Sequence, residues 1–116
     1  MIKDILWGVI MKLIFAIVNK DDSNMVASAL IRAGFPTTKL ATTGGFLKTG
    51  NTTFLLGVDD SRVDEVIEVI AKYSKKRTQM VSSTIYGASE YTTFPVEVTV
   101  GGATVFVTDV DRYEKL

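Results

Sequence analysis

The sequence predicts an α+β fold with a ferredoxin-like βαββαβ order and an extended loop and β-hairpin before the last strand. Three observations carry this. An almost continuous apolar run at 12–19, rich in Ile, Val and Phe, reads as a central strand buried on both faces or nearly so. Two stretches with apolar residues at helical spacing each follow a strand and open on a capping side chain. The other strand-like runs fall between and after these helices, so the chain divides into two strand–helix–strand halves. An antiparallel sheet of this order carries both helices on one face. The other face then needs cover, most simply from further subunits in a ring.

Each element has a local reason. The run at 12–19 is broken by Lys20-Asp21-Asp22-Ser23, where Asp22 or Ser23 can cap a helix. Val26, Ala29, Leu30 and Ala33 form its apolar stripe, and Gly34 is the expected left-handed stop. Phe35-Pro36 leads into a strand at 37–42. A glycine-rich centre follows, then a strand at 52–58. Asp59-Asp60-Ser61 opens the second helix, with Ser61 and Asp64 in capping-box spacing. Its stripe is Val63, Val66, Ile67 and Ile70, and Lys72, Lys75, Lys76 and Arg77 crowd its C-terminal end, where the helix dipole favours positive charge. A short extended piece at 79–82 precedes a long surface loop at 83–94. Residues 95–100 alternate as a half-buried strand, Gly101-Gly102 supplies a two-residue hairpin turn, and 103–107 returns. Residues 109–116 are a polar tail.

Composition narrows the function. At 116 residues the chain has room for one modest core, and 47% apolar with 22% charged residues is a globular balance. Thirteen basic residues balance thirteen acidic ones, so no global field draws in DNA, RNA or an anionic membrane. There is no cysteine and no histidine. Disulfides, thiolate metal sites and histidine-based hydrolase triads are therefore impossible. Binding is favoured over catalysis, with no cofactor and no metal expected. The apolar run at 5–11 is too short to span a membrane and lacks a cleavage site, which gives a cytoplasmic expectation. Residues 1–10 are either an extension that docks Trp7 on a neighbouring surface or a misassigned start ahead of Met11.

The candidate site is the stretch 38–57. Its centre holds Gly44, Gly45 and Gly50, with Phe46 and Leu47 between them. The spacing fits neither a P-loop nor a dinucleotide-binding fingerprint. Thr38, Thr42, Thr43 and Asn51 are uncharged donors suited to phosphate oxygens or base edges, and Phe46 with Leu47 could sandwich a purine. Taken alone, the stretch fits a glycine-turned β-connection equally well. Asp59, Asp60, Asp64 and Glu65 raise a metal site or a metal-dependent phosphodiesterase, against the plainer reading that acids near a helix start complement its dipole. The basic cluster at 72–77 reads as solvated helix-end charge. Tyr86, Tyr91 and Phe94 either close over a ligand or cover the sheet.

Longer motifs carry a resemblance. Phe35, the run Thr38-Lys39-Leu40-Ala41-Thr42-Thr43-Gly44-Gly45-Phe46-Leu47-Lys48, and Gly50-Asn51-Thr52-Thr53-Phe54 closely resemble the signature of the PII-like cyclic di-AMP receptors, the PstA/DarA family. Pro95-Val96-Glu97-Val98 with Gly101-Gly102-Ala103-Thr104-Val105-Phe106-Val107 resembles a second signature. The likeness runs from Met11 to the C-terminus, which makes 11–116 a single PII-like domain and leaves 1–10 as an extension. It implies a homotrimer with cyclic di-AMP in three inter-subunit clefts, a mobile loop that reads out the ligand, and an unidentified downstream protein. By position it implies that Thr38 and Asn51 make polar contacts, Phe46 and Leu47 hold an adenine, and backbone at Gly57 lies against the base. Pro36 stands where the family usually has an arginine, so one charge-assisted contact is missing. The loop before Pro95 is shorter than in the family and lacks its Pro-Met-Gly-Gly pattern, and Asp109 stands where proline is common. A nucleotide-independent trimeric interaction module is the alternative.

Overall fold

The computed structural model describes residues 10–40, 50–84 and 93–116, with the side chains of 81–84 and 93–94 left out. The elements are β1 (Met11–Asn19), α1 (Lys20–Arg32), β2 (Thr38–Lys39), β3 (Asn51–Asp59), a 3-10 turn (Asp60–Arg62), α2 (Val63–Tyr73), β4 (Arg77–Thr84), β5 (Thr93–Val100) and β6 (Ala103–Asp109). β2, β3, β1 and β6 lie side by side in that order, every neighbouring pair antiparallel. This is the ferredoxin-like order, with β6 as the final strand. β4 and β5 form a separate two-stranded sheet inserted between α2 and β6.

Alternation along β1 and β3 explains the layering. Ile14, Ala16 and Val18 of β1 and Phe54, Leu56 and Val58 of β3 are buried, and they pack with Val26 and Leu30 of α1 and Val66 and Ile70 of α2. Both helices therefore cover one face. The alternate residues Leu13, Phe15, Ile17 and Leu55 are only half-buried, and Phe106 of β6, opposite Phe15, is 57% exposed. Among the described residues no helix covers that second face. β1 is thus central as expected, but fully buried on one face only.

Several local expectations change. α1 begins at Lys20, and its cap is Asn19, whose Oδ1 accepts the Asp21 N–H at 2.8 Å. Asp22 and Ser23 are not caps. Ser23 donates to the Lys20 carbonyl, and Asp22 is buried against Arg77. Before α2, Asp59 rather than Ser61 makes the capping bond, and Ile67 sits at the margin of its stripe. Gly34 does adopt the left-handed backbone expected of it (φ 89°).

The largest correction concerns the last strands. β5 and β6 do not form a hairpin about Gly101-Gly102. β5 pairs with β4 from Arg77↔Val100 to Thr84↔Thr93, whereas β6 pairs with β1. Gly101 and Gly102 (φ 83° and 81°) carry the chain across the root of the β4–β5 hairpin into the main sheet. A Cβ on Gly101 would lie 2.5 Å from the Lys75 carbonyl oxygen and 2.7 Å from Arg77 Nη1, so only glycine fits there. The Gly102 N–H donates to the Ser74 carbonyl, tying the crossing to the end of α2.

Candidate functional site

The stretch singled out in the sequence is built on β2 and β3. Phe35 is buried, its N–H donating to the Leu30 carbonyl at 2.9 Å. The Thr37 hydroxyl donates to the Phe35 carbonyl at 2.9 Å and closes the turn at Pro36. Arg62 stacks over the Phe35 ring at 4.2 Å while pairing with Glu65, so the 3-10 turn before α2 helps hold this approach. These contacts deliver Thr38 to the sheet edge, opposite Leu55. Among the described residues β2 spans only Thr38–Lys39, and 41–42 of the expected 37–42 lie outside them.

On the return, Gly50 has φ 95°, and its carbonyl accepts the Lys20 N–H at 2.7 Å. That bond sets where β3 begins. Asn51 then pairs with Asn19, the cap of α1. Strand period does the rest. Thr38 shares a face with Leu55, and Asn51, Thr53, Leu55 and Gly57 all point to that side. It is the helix-free face. Three residues chosen from sequence, Thr38, Asn51 and Gly57, thus share one side of one sheet edge. Phe46 and Leu47 lie outside the described residues, as do Thr42, Thr43, Gly44, Gly45, Tyr86, Tyr91 and Trp7.

Gly57 is exposed, and its backbone is not in the left-handed region. A Cβ there would meet only Met11 Cε at 3.8 Å. Neither conformation nor packing requires glycine, so the bare backbone is free for close approach by something else.

Thr53 carries no motif role in the sequence. It is 5% exposed, and its hydroxyl is buried without a hydrogen-bond partner among the described residues. A desolvated, unpaired hydroxyl typically costs about 1–3 kcal/mol. The signal that could have found it is the alternation Asn51, Thr53, Leu55, Gly57, which puts a small polar residue amid the candidate set.

The acidic residues after β3 have ordinary work. Asp59 Oδ1 accepts the Ser61 N–H and hydroxyl, both at 2.9 Å, and these bonds hold its carboxyl below the usual aspartate range. Glu65 pairs with Arg62 at 3.1 Å, and Asp60 lies 4.0 Å from the Lys12 ammonium. No group of acids among the described residues converges as a metal site would require. In the basic cluster, Arg77 is not simply solvated. Its guanidinium meets both oxygens of Asp22, at 3.0 and 3.2 Å, which raises its pKa further. No helix among the described residues is long and apolar enough to cross a membrane.

A sequence profile described as a cyclic-di-AMP receptor matches residues 11–116. The chain belongs to that receptor family. It is also similar to the crystal structure of a functionally unknown protein from Pediococcus pentosaceus, with 42% identity and a TM-score of 0.72. That match covers 93% of this chain and 99% of the other. The ligand that names the family is a cyclic dinucleotide, with flat neutral purines joined by anionic phosphodiesters. Uncharged donors at Thr38 and Asn51 and a bare backbone at Gly57 suit a cyclic-di-AMP receptor, because they offer hydrogen bonds and a close approach without a buried charge.

Proposed function

We propose that this chain is a non-catalytic cyclic di-AMP receptor that works as a homotrimer. In this reading Thr38 and Asn51 bond the nucleotide, Phe46 and Leu47 hold an adenine, and the backbone at Gly57 lies against the base. Residues 11–116 are the receptor domain, and 1–10 are an extension to it. The observation that carries the reading is the shared face: Thr38, Asn51 and Gly57 are all on the helix-free side of β2 and β3, the strands that flank the glycine-rich stretch in sequence. The same side offers Phe15, Leu55 and Phe106 to a neighbouring copy. A cleft at the edge of that contact would be closed by the second subunit. The signal then passes through the connection between β4 and β5, within the stretch 82–94, to a downstream protein, in the cytoplasm.

Titration calorimetry with cyclic di-AMP, and with ATP as the control, tests this. Micromolar or tighter binding of the cyclic dinucleotide is expected, with ATP much weaker. Pro36 removes a charge from the cleft edge, so affinity in the micromolar rather than the nanomolar range is consistent with the reading. No heat with cyclic di-AMP at high protein concentration would sink it. Recovering the dinucleotide intact after incubation with the protein and Mg²⁺ is the matching expectation for a receptor without catalysis.

A further inference from the structure

We infer that Thr53 is a further ligand-contacting residue, and that its hydroxyl reads a neutral edge atom of the bound purine. The inference rests on the receptor reading and deepens it.

Thr53 lies in β3 between Asn51 and Leu55 on the helix-free face. Along a strand, same-face neighbours are roughly 7 Å apart, so its side chain lies within one base-width of Asn51. Its backbone is held in the sheet: it stands opposite Ile17 of β1, and its carbonyl accepts the Leu40 N–H at 2.9 Å. Its position is therefore fixed. The hydroxyl is not committed. It is buried, and it lacks a partner among the described residues. Buried hydroxyls are nearly always bonded, and exceptions call for a reason. A group waiting for a ligand atom is such a reason, and the candidate polar residues Thr38 and Asn51 sit on the same face.

The surroundings decide which ligand atom. The same-face neighbours across the ladders are Ile17 and Leu40, with Leu55 next along the strand. A phosphate would lose its hydration among these apolar side chains, with no cation supplied. A ring nitrogen or exocyclic amine of a purine would not. A threonine hydroxyl can donate to the first or accept from the second. Thr53 would thus act in base recognition, while phosphate oxygens fall to more exposed donors such as Thr38.

The test is Thr53→Val, which keeps the shape and removes the hydroxyl, alongside Thr53→Ser, which keeps the hydroxyl. Cyclic di-AMP is titrated into the full chain, and Tm is read without ligand. T53V should hold or raise the ligand-free Tm, since it removes an unpaired buried hydroxyl, yet weaken cyclic di-AMP about tenfold. T53S should bind within about threefold of the wild type. A purely structural role would not move stability and affinity in opposite directions. If T53V fails to fold, T53A makes the same comparison against T53S. Wild-type affinity in the hydroxyl-free variant would overturn the assignment while leaving the receptor reading intact. A wild type that does not bind cyclic di-AMP would overturn both.

Discussion

Gly57 sits in a paired strand with a backbone any residue could adopt, and the space beside it is open. Glycine in a strand interior ordinarily weakens it, by loss of side-chain packing and by the entropy of the unfolded chain. Its presence in β3 is therefore a liability for the fold that only close approach would offset. Gly57→Ala should fold with an unchanged or slightly higher Tm, the gain being about 0.4–1 kcal/mol or less. Gly57→Val should fold too, but lower cyclic di-AMP affinity at least tenfold by holding the base off the backbone. Calorimetry and thermal melts on the two variants check this. Equal binding by G57V would remove Gly57 from the site. Residues of this kind were legible in the sequence because the period of two is strict: once β3 is assigned, Asn51 and Gly57 must share a side. Thr53 is not legible in the same way, because burial depends on which face is covered, and one chain's sequence does not state that. The role of Asp22 is hidden for a related reason. As an acid near a helix start it reads as a cap, but its true partner lies far along the chain at Arg77.

The β4–β5 hairpin is the element that the sequence described least well. Alternation at 95–100 and 103–107 and the Gly-Gly between them are sound hairpin chemistry. Local turn signals cannot say, however, that β1 offers its open edge to β6 while β4 takes β5. That choice is tertiary. An isolated two-stranded sheet is marginal in water, so its root matters. Three contacts meet there. Arg77 bonds Asp22 at the start of α1, Gly101 lets the chain pass close to Arg77 and Lys75, and Gly102 bonds Ser74 at the end of α2. The Asp22 side chain is 10% exposed, whereas the Arg77 side chain is 42% exposed, so the pair is intermediate between a buried and a surface bridge. Removing Asp22 leaves an arginine that can still reach water. Asp22→Ala should therefore cost about 1–2 kcal/mol, above a surface pair and below a fully buried one. Chemical denaturation in a double-mutant cycle with R77A measures the coupling directly. Additive losses, with no coupling between the two positions, would show that the bridge does not hold the hairpin root.

At the scale of the whole molecule, the proposed trimer would use the side of the sheet that no helix covers among the described residues. The helices use one face, and the other presents Leu13, Phe15, Ile17 and Leu55 half-buried beside an exposed Phe106. Phe15 lies between Leu55 and Phe106 in register, so these side chains form a continuous apolar strip across three strands. A net charge of zero supplies no repulsion between copies. Burying a phenylalanine yields about 1.5–3 kcal/mol, and a trimer repeats that gain in every subunit. Light scattering should accordingly give three times the chain mass of 12.7 kDa. Phe106→Glu puts a carboxylate into the strip from an edge strand, where a lone subunit tolerates it because the position faces water. The variant should fall to the monomer mass with its far-UV circular dichroism retained. If the nucleotide cleft lies between subunits, F106E should lose cyclic di-AMP binding in step with the mass, although residue 106 belongs to none of the ligand positions. A trimeric F106E would remove this face from the contact. A monomeric F106E that still bound cyclic di-AMP at wild-type affinity would put the whole site within one chain.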